Sequence, residues 1–308
     1  MSRPEVREIA WLKEASLSTA VVWATPSVLG RITKELGIAP VSPLCEVPES
    51  ADTLIVAGGG ELMDQAKHFR ARLRPDLRLI LAPSIWGSGA EISPIVVLNA
   101  NGVKEISIGE EFLPDAVVYW PELLETVSKV RARHACGDAW SHALEAFLSP
   151  LGCERVKNEL AGLIAEMTQL PLRADPRWFG ASSRACRLQA KSSVGLVHGI
   201  AHVLEYPLRV RYPEQDWGHA KLCSVFLLPV MELNRESSAK WADLTRQYGL
   251  SEEVLWGVLQ QLFEPAGYAQ ALPMLKENWT KILRNPCTRT NGVLIRQKHI
   301  EFFERVVA

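Results

Sequence analysis

No Cys-x-x-Cys occurs in the 308 residues, and the six cysteines, at positions 45, 136, 153, 186, 223 and 287, follow no framework spacing. That excludes a disulfide-built scaffold and fits reduced thiols in a cytoplasm-like compartment. No apolar run reaches the roughly 18 residues a membrane span requires, and the opening segment mixes Arg, Glu and Lys with apolar positions instead of forming a signal core. Neither sign of charge dominates: the formal net charge is −1 and the pI about 6.7, which offers no electrostatic footprint for nucleic acid or an anionic membrane surface. Internal repeats and low-complexity tracts are absent as well. What remains is 47% apolar and 22% charged, the composition of an ordinary globular protein. The length is comfortable for two domains, and the protein is expected to be cytosolic and untargeted.

Along the chain, a polar segment to about Ala15 reads as helix, Thr19 to Trp23 as a short buried strand, and Ser27 to Leu36 as a helix stopped at Gly37. Thr53 to Ala57 is a second apolar strand, running through Gly58, Gly59 and Gly60 into a helix to about Leu73. Leu77 to Leu81 is a third. Ile92 to Asn99 and Val103 to Ile108 form a hairpin turning at Asn101-Gly102, and Leu113 to Pro121 holds a last strand. This alternation predicts a parallel sheet with helices on both faces. Beyond about Leu123 only helical patterns occur, with breaks expected at Pro171, Asp175-Pro176, Pro207 to Pro213 and Pro229. The boundary is placed between Pro121 and Ser128, giving an α/β domain over 1–125 and an all-helical domain over 126–308.

Ligands of open parallel sheets bind beyond the carboxyl ends of the strands, which is where the triple glycine lies. Glycines between a strand and a helix let the backbone approach a pyrophosphate, and the helix dipole attracts its charge. A tight strand-to-helix turn would use glycines as well, but the next strand end, Ser84 to Gly89, is a second loop of small and hydroxyl residues. Together they favour a nucleotide cleft, although neither fits Gly-x-Gly-x-x-Gly or a P-loop.

The helical half carries the second chemical signal. Asp138 and His142 are four residues apart, neighbours across one helical turn, and so are His198 and His202. With His219, four of the seven histidines fall in segments able to converge. One such pair is most simply an ordinary helical histidine; two pairs with an acid favour a divalent ion such as iron, zinc, cobalt or nickel over calcium.

Five motifs occur in one order: GGGELMDQAK from Gly58, PSIWGSGAEISP from Pro83, PDAVVYWP from Pro114, GDAWSHALEAF from Gly137 and VHGIAH from Val197. In this the chain resembles the iron-containing (group III) alcohol dehydrogenases, whose superfamily includes glycerol dehydrogenase and dehydroquinate synthase, and it looks like a compact member. The similarity runs from about Thr53 to Asn234. The resemblance implies an N-terminal dinucleotide-binding domain, a helical C-terminal domain and one divalent metal, Fe2+ or Zn2+, held in the cleft between them. By matching position it implies Asp138, His142 and His198 as metal ligands and His202 close to nicotinamide and substrate as the proton-relaying residue; for the fourth ligand the nearest candidate is His219. Gly58, Gly59, Gly60, Asp64, Ser84, Ile85, Gly87 and Ser88 match residues that hold NAD or NADP. Lys67 and Glu91 lie in the same motifs, with a surface helix charge and a loop cap as their simpler readings. The chain departs from the pattern in three places: Glu61 follows the glycines in place of Ser, His219 is followed by Ala220 at an unusual distance, and the segment before Thr53 is short.

The activity implied is hydride transfer between nicotinamide and a small alcohol or aldehyde. Two alternatives stand beside it: a dehydroquinate synthase-like lyase or cyclase, faintly echoed by Glu205 after His202, and a non-catalytic member with a trimmed cofactor domain. Trp140, Phe147, Trp178, Phe179 and Trp217 are candidate pocket liners or, more simply, core. Arginines in the helical half (131, 133, 155, 173, 177, 184, 187, 209 and 211) raise an anionic substrate as an option, no acid after Val22-Trp23-Ala24-Thr25 selects between NAD and NADP, and a homodimer is left open.

Overall fold

A computed structural model describes residues 4–15, 17–100 and 103–306. It divides into two compact units, Met1–Ser128 and Lys129–Ala308. The first carries, in chain order, β1 (Glu5–Glu8), α1 (Ile9–Glu14), β2 (Ala20–Ala24), α2 (Pro26–Leu36), β3 (Thr53–Gly58), α3 (Gly60–Leu73), β4 (Arg78–Pro83), β5 (Ile95–Ala100), β6 (Val103–Ile108) and β7 (Ala116–Tyr119). Five of these strands form one sheet in the order β1-β7-β4-β3-β2, parallel throughout, and β5 pairs with β6 in a separate antiparallel hairpin.

β3 is buried at every position, as a central strand covered on both faces must be. Its side chains alternate between two cores: Ile55 and Ala57 pack with Leu12, Val28 and Ile32, while Leu54 and Val56 pack with Met63 and Ala66. Gly58 lies opposite Pro83 in the β3–β4 register, and the Ser84 amide donates to the Gly58 carbonyl at 2.9 Å. The two small-residue loops therefore leave neighbouring strand ends side by side. α2 closes at Gly37, whose φ of 64° is the left-handed cap a glycine adopts without cost.

Two expectations are corrected here. The opening segment is not helix from its start, because Glu5–Glu8 pairs in parallel with β7 as an edge strand before α1 begins. All four of its side chains are exposed, so no alternation of burial marked it as a strand. The hairpin strands start at Ile95 instead of Ile92, and the turn expected at Asn101-Gly102 lies outside the described residues.

The second unit is helical throughout its described residues: α4 (Lys129–Leu148), α5 (Glu154–Met167), α6 (Arg177–Gln189), α7 (Leu196–Arg211), α8 (His219–Ser237), α9 (Lys240–Arg246), α10 (Glu252–Leu262), α11 (Pro265–Arg284), α12 (Pro286–Arg289) and α13 (Ile300–Arg305). α4 is buried along nearly its whole length, which is the signature of a helix at the centre of a helical domain. The break expected over Pro207 to Pro213 falls after Arg211, so that Pro207 itself sits inside α7, and Pro229, expected as a break, sits inside α8. An interior proline costs a helix about 3 kcal/mol; Leu204 and Leu208 around the first, and Phe226, Val230 and Met231 around the second, are fully buried and hold the helices through it. Among the described residues no helix is long and apolar enough to cross a membrane.

Candidate functional site

Helix α4 and the start of α8 approach each other at a glycine. A Cβ on Gly137 would lie 2.5 Å from Ser224 Cβ and 2.7 Å from its Cα, so no larger residue fits without parting the helices. The residue after it, Asp138, is 1% exposed, and the close approach brings its carboxylate against the first turn of α8. Asp138 Oδ1 lies 3.7 Å from His142 Nδ1, 3.8 Å from His198 Nε2 and 3.8 Å from His219 Nε2. Three helices, α4, α7 and α8, thus contribute one acid and three imidazoles to one spot.

The arrangement is electrostatically incomplete. Asp138 Oδ1 and His142 Nδ1 are buried with no hydrogen-bond partner, a situation that costs free energy unless something else satisfies them. The state of His198 follows from its other nitrogen: Nδ1 donates to Glu145 Oε2 at 2.7 Å, which turns Nε2 and its lone pair toward Asp138. His142 Nε2 stands 3.0 Å from His198 Nε2. Lone pairs of an acid and of imidazole nitrogens facing one another at under 4 Å, with no proton available to all of them, are the donor set of a cation site.

Glu145 is the residue the sequence reading passed over. It follows Asp138 by seven positions on the same face of α4, so the spacing that paired Asp138 with His142 would also have found it. The amides of Gly195, Val197 and His198 donate to its carboxylate at 2.8, 2.6 and 3.4 Å. Glu145 therefore caps the start of α7 and orients the His198 ring at once. Burial pushes its carboxyl up to about 7, against the opposing pull of those amides. Cys223, one turn after His219, joins the group as well: its Sγ, with donor atoms of Asp138, His198 and His219, forms a set mutually within 4.8 Å. Burial, with Asp138 nearby, holds its thiol well above the ordinary range.

His202 is half-buried on the next turn of α7. Its ring stacks on His219 at 5.3 Å between centroids, and its Nδ1 is 3.7 Å from Cys287 Sγ. The candidate aromatic liners Trp140, Phe147, Trp178, Phe179 and Trp217 are at most 2% exposed and belong to the core. Of the arginines, Arg131, Arg133, Arg155, Arg177, Arg184, Arg209 and Arg211 are all engaged in ion pairs with neighbouring acids.

In the first unit, the three glycines are not equivalent. A Cβ on Gly58 would meet Leu62 Cδ2 at 2.7 Å and one on Gly60 would meet Ser88 Oγ at 2.5 Å, whereas at Gly59 the nearest atom would be Ile85 Cγ2 at 3.8 Å. Close packing alone accounts for glycine at 58 and 60. Gly59 is the N-cap of α3 and provides no side-chain cap to its first amides, which leaves the helix start to an outside acceptor. Ser84 is buried, Ile85 half-buried and Ser88 exposed, and Gly87 takes a φ of 117° that requires glycine. Asp64 is tied inward: Oδ1 accepts from Lys67 Nζ at 2.9 Å and Oδ2 from the Val97 amide at 3.0 Å. Lys67, read as a surface charge in the simpler of its two roles, is fully buried and also donates to the Ala90 and Ile95 carbonyls at 2.9 and 2.6 Å.

A family profile described as iron-containing alcohol dehydrogenase matches residues 25–121. An alcohol dehydrogenase of Thermococcus barophilus is 22% identical over 256 residues, 73% of this chain and 66% of that protein. A maleylacetate reductase of Sphingobium indicum is 30% identical over 168 residues, 50% of this chain and 46% of that protein. The chain thus spans about half to two thirds of these relatives' lengths. Among solved structures, an iron-containing alcohol dehydrogenase from Thermococcus thioreducens superposes with a TM-score of 0.75 at 20% identity, covering 100% of this chain and 99% of the other. The maleylacetate reductase of Agrobacterium tumefaciens gives 0.72 at 22% identity, covering 99% and 96%.

Residues 25–121 thus carry the iron-containing alcohol dehydrogenase profile, and the chain as a whole shares the fold of these solved structures. An α/β unit followed by a helical unit is the architecture that it has in common with them. The residues of α4, α7 and α8, outside the matched segment, fit a metal such as the one that the profile's description names: an acid with an orphaned oxygen, imidazole lone pairs aimed at it, and a second carboxylate fixing one ring.

Proposed function

We propose that the chain is a metal- and NAD(P)-dependent oxidoreductase that interconverts a small alcohol and its aldehyde or ketone. The observation that carries this reading is the closure of three histidines on the unpartnered Oδ1 of buried Asp138. Asp138, His142, His198 and His219 hold the divalent ion, and Gly58, Gly59, Gly60, Ser84, Ile85, Gly87 and Ser88 hold the dinucleotide, with Asp64 anchoring α3 to the 90–97 segment behind them. When bound, the ion supplies a Lewis acid to the substrate oxygen and the nicotinamide supplies or accepts the hydride. Asp138 contributes negative charge that offsets the cation, and Glu145 holds His198 in the tautomer that offers Nε2. His202 takes up or releases the hydroxyl proton at Nε2, its Nδ1 facing Cys287. The relatives named alcohol dehydrogenase and maleylacetate reductase support a reaction between hydroxyl and carbonyl carbons. Glu205 pairs with Arg209 at 3.0 Å and so adds nothing to a lyase reading.

A screen of neutral and carboxylate-bearing aldehydes and ketones with NADH and NADPH, on metal-loaded protein, tests the activity; absence of nicotinamide oxidation with every carbonyl would overturn it. The dinucleotide site has its own test in Gly59→Asp. The added Cβ fits the space, but the carboxylate at the start of α3 repels a pyrophosphate, so dinucleotide affinity should fall at least tenfold. Unchanged affinity would remove the proposed cradle.

A further inference from the structure

We infer that Cys223 Sγ is itself a ligand of the divalent ion, so that the centre carries a thiolate beside Asp138, His198 and His219. This rests on the metal reading above and revises it at one place: in the tetrahedral set Cys223 takes the position given there to His142, whose donor atoms are not among the four that lie within 4.8 Å of one another. Cys223 follows His219 by one helical turn, which puts both side chains on the same face of α8. Its Sγ lies 3.6 Å from His219 Nε2, and the four donor atoms are all within 4.8 Å of one another. A tetrahedral ion with metal–sulfur distances of about 2.3 Å and metal–nitrogen distances of about 2.1 Å separates neighbouring ligand atoms by about 3.5 Å. The sulfur and the Asp138–His198 and Asp138–His219 pairs, at 3.8 Å each, already stand near that spacing.

The simpler account makes Cys223 a small apolar residue filling the α4–α8 interface, since it is fully buried. That account does not explain why the sulfur faces the donor atoms of Asp138, His198 and His219, all within 4.8 Å of one another. A metal–sulfur bond accounts for that convergence, because all four groups then share one cation. As that bond forms, the S–H proton passes to solvent and the sulfur binds as thiolate. A soft donor in place of a further oxygen or nitrogen tilts the centre toward zinc and cobalt.

Cobalt(II) reports the donor type directly. The full chain, stripped with chelator and loaded with cobalt(II), should show visible d–d bands together with a near-ultraviolet sulfur-to-cobalt charge-transfer band. That band should fall at least tenfold in Cys223→Ser and persist in Cys287→Ser, the other thiol close to a site histidine. If Cys223→Ser does not fold, Cys223→Ala makes the same measurement. Visible bands without charge transfer in the unaltered chain would overturn the thiolate and leave the metal site standing. Loss of charge transfer in Cys287→Ser alone would overturn Cys223 as its source. Absence of all cobalt bands would overturn the metal reading and this inference together.

Discussion

Two buried aspartates, one in each unit, sit on helices with an essential neighbour close by, and they have opposite fates. Asp64 of α3 has both carboxylate oxygens occupied, by Lys67 and by the Val97 amide. Asp138 of α4 has an oxygen facing three imidazoles and bonded to none. Burial raises the Asp64 carboxyl while the Lys67 ammonium works against that rise. A carboxylate whose hydrogen-bonding capacity is filled from within is scaffold; one left unfilled among lone pairs is prepared for a cation. The comparison also gives Asp64, which the resemblance placed among the cofactor-holding residues, a scaffold reading that its place in the motif did not show.

The largest effect should come from the unfilled acid. Asp138→Ala and His198→Ala should each abolish stoichiometric metal binding while the far-ultraviolet circular dichroism of the folded chain persists, because α4 and α7 bury extensive apolar surface of their own. Stoichiometric metal retained in His198→Ala would sink the site. Asp64→Ala inverts this pattern. It leaves the fully buried Lys67 ammonium without its counter-charge, a change that destabilises by about 3 kcal/mol, yet metal content should stay at the wild-type ratio. Chemical denaturation with metal analysis on both variants checks the crossing; metal lost from Asp64→Ala would break the contrast between the two acids.

An intermediate effect is expected at Glu145, which belongs to neither class because its carboxylate is filled by amides and by a candidate ligand ring at the same time. Glu145→Gln keeps an acceptor for α7 but loses the charge that makes His198 Nε2 basic. Metal affinity should weaken by about 10- to 100-fold, the usual loss when a histidine ligand's supporting carboxylate is removed. Competition with a chromophoric chelator measures it, and an unchanged constant would reduce Glu145 to a helix cap.

How far these roles were legible depends on how local the signal was. Asp138–His142 and His198–His202 were visible because each pair lies on one helix and needs only the 3.6-residue period. Strands β3 and β4 were visible because a strand buried on both faces is a plain apolar run. Cys223 and Glu145 obey the same helical spacing, one turn from His219 and two from Asp138, but a lone Cys and a Glu inside an apolar helix read as packing until a third helix supplies their partners. β1 was hidden for the opposite reason: an exposed edge strand buries nothing, so its pairing with β7 is fixed by tertiary structure alone. The two interior prolines misled because local propensity was weighed without the packing that outweighs it.

The smallest effect sharpens the comparison at a fourth acid, Glu264, which is filled like Asp64 but partly open to solvent. Its side chain is 21% exposed and accepts from Arg133 at 2.5 Å and from His134 at 2.6 Å. The His134 hydrogen bond foremost, then the Arg133 bond, brings its carboxyl down to about 2 against the opposing effect of burial. A lowered carboxyl favours the folded state only while it is ionised, so its contribution is complete above the unfolded value of about 4.5 and is lost as pH falls toward about 2. Solvent screening limits that contribution to about 1 kcal/mol at most. The stability difference between the unaltered chain and Glu264→Gln, measured by denaturant titration from neutral to acid pH, should therefore stay level down to about pH 5 and shrink below it. A difference that widened on acidification would mean that Glu264 is stabilised in its protonated form, and that a filled carboxylate in this protein need not be an ionised one.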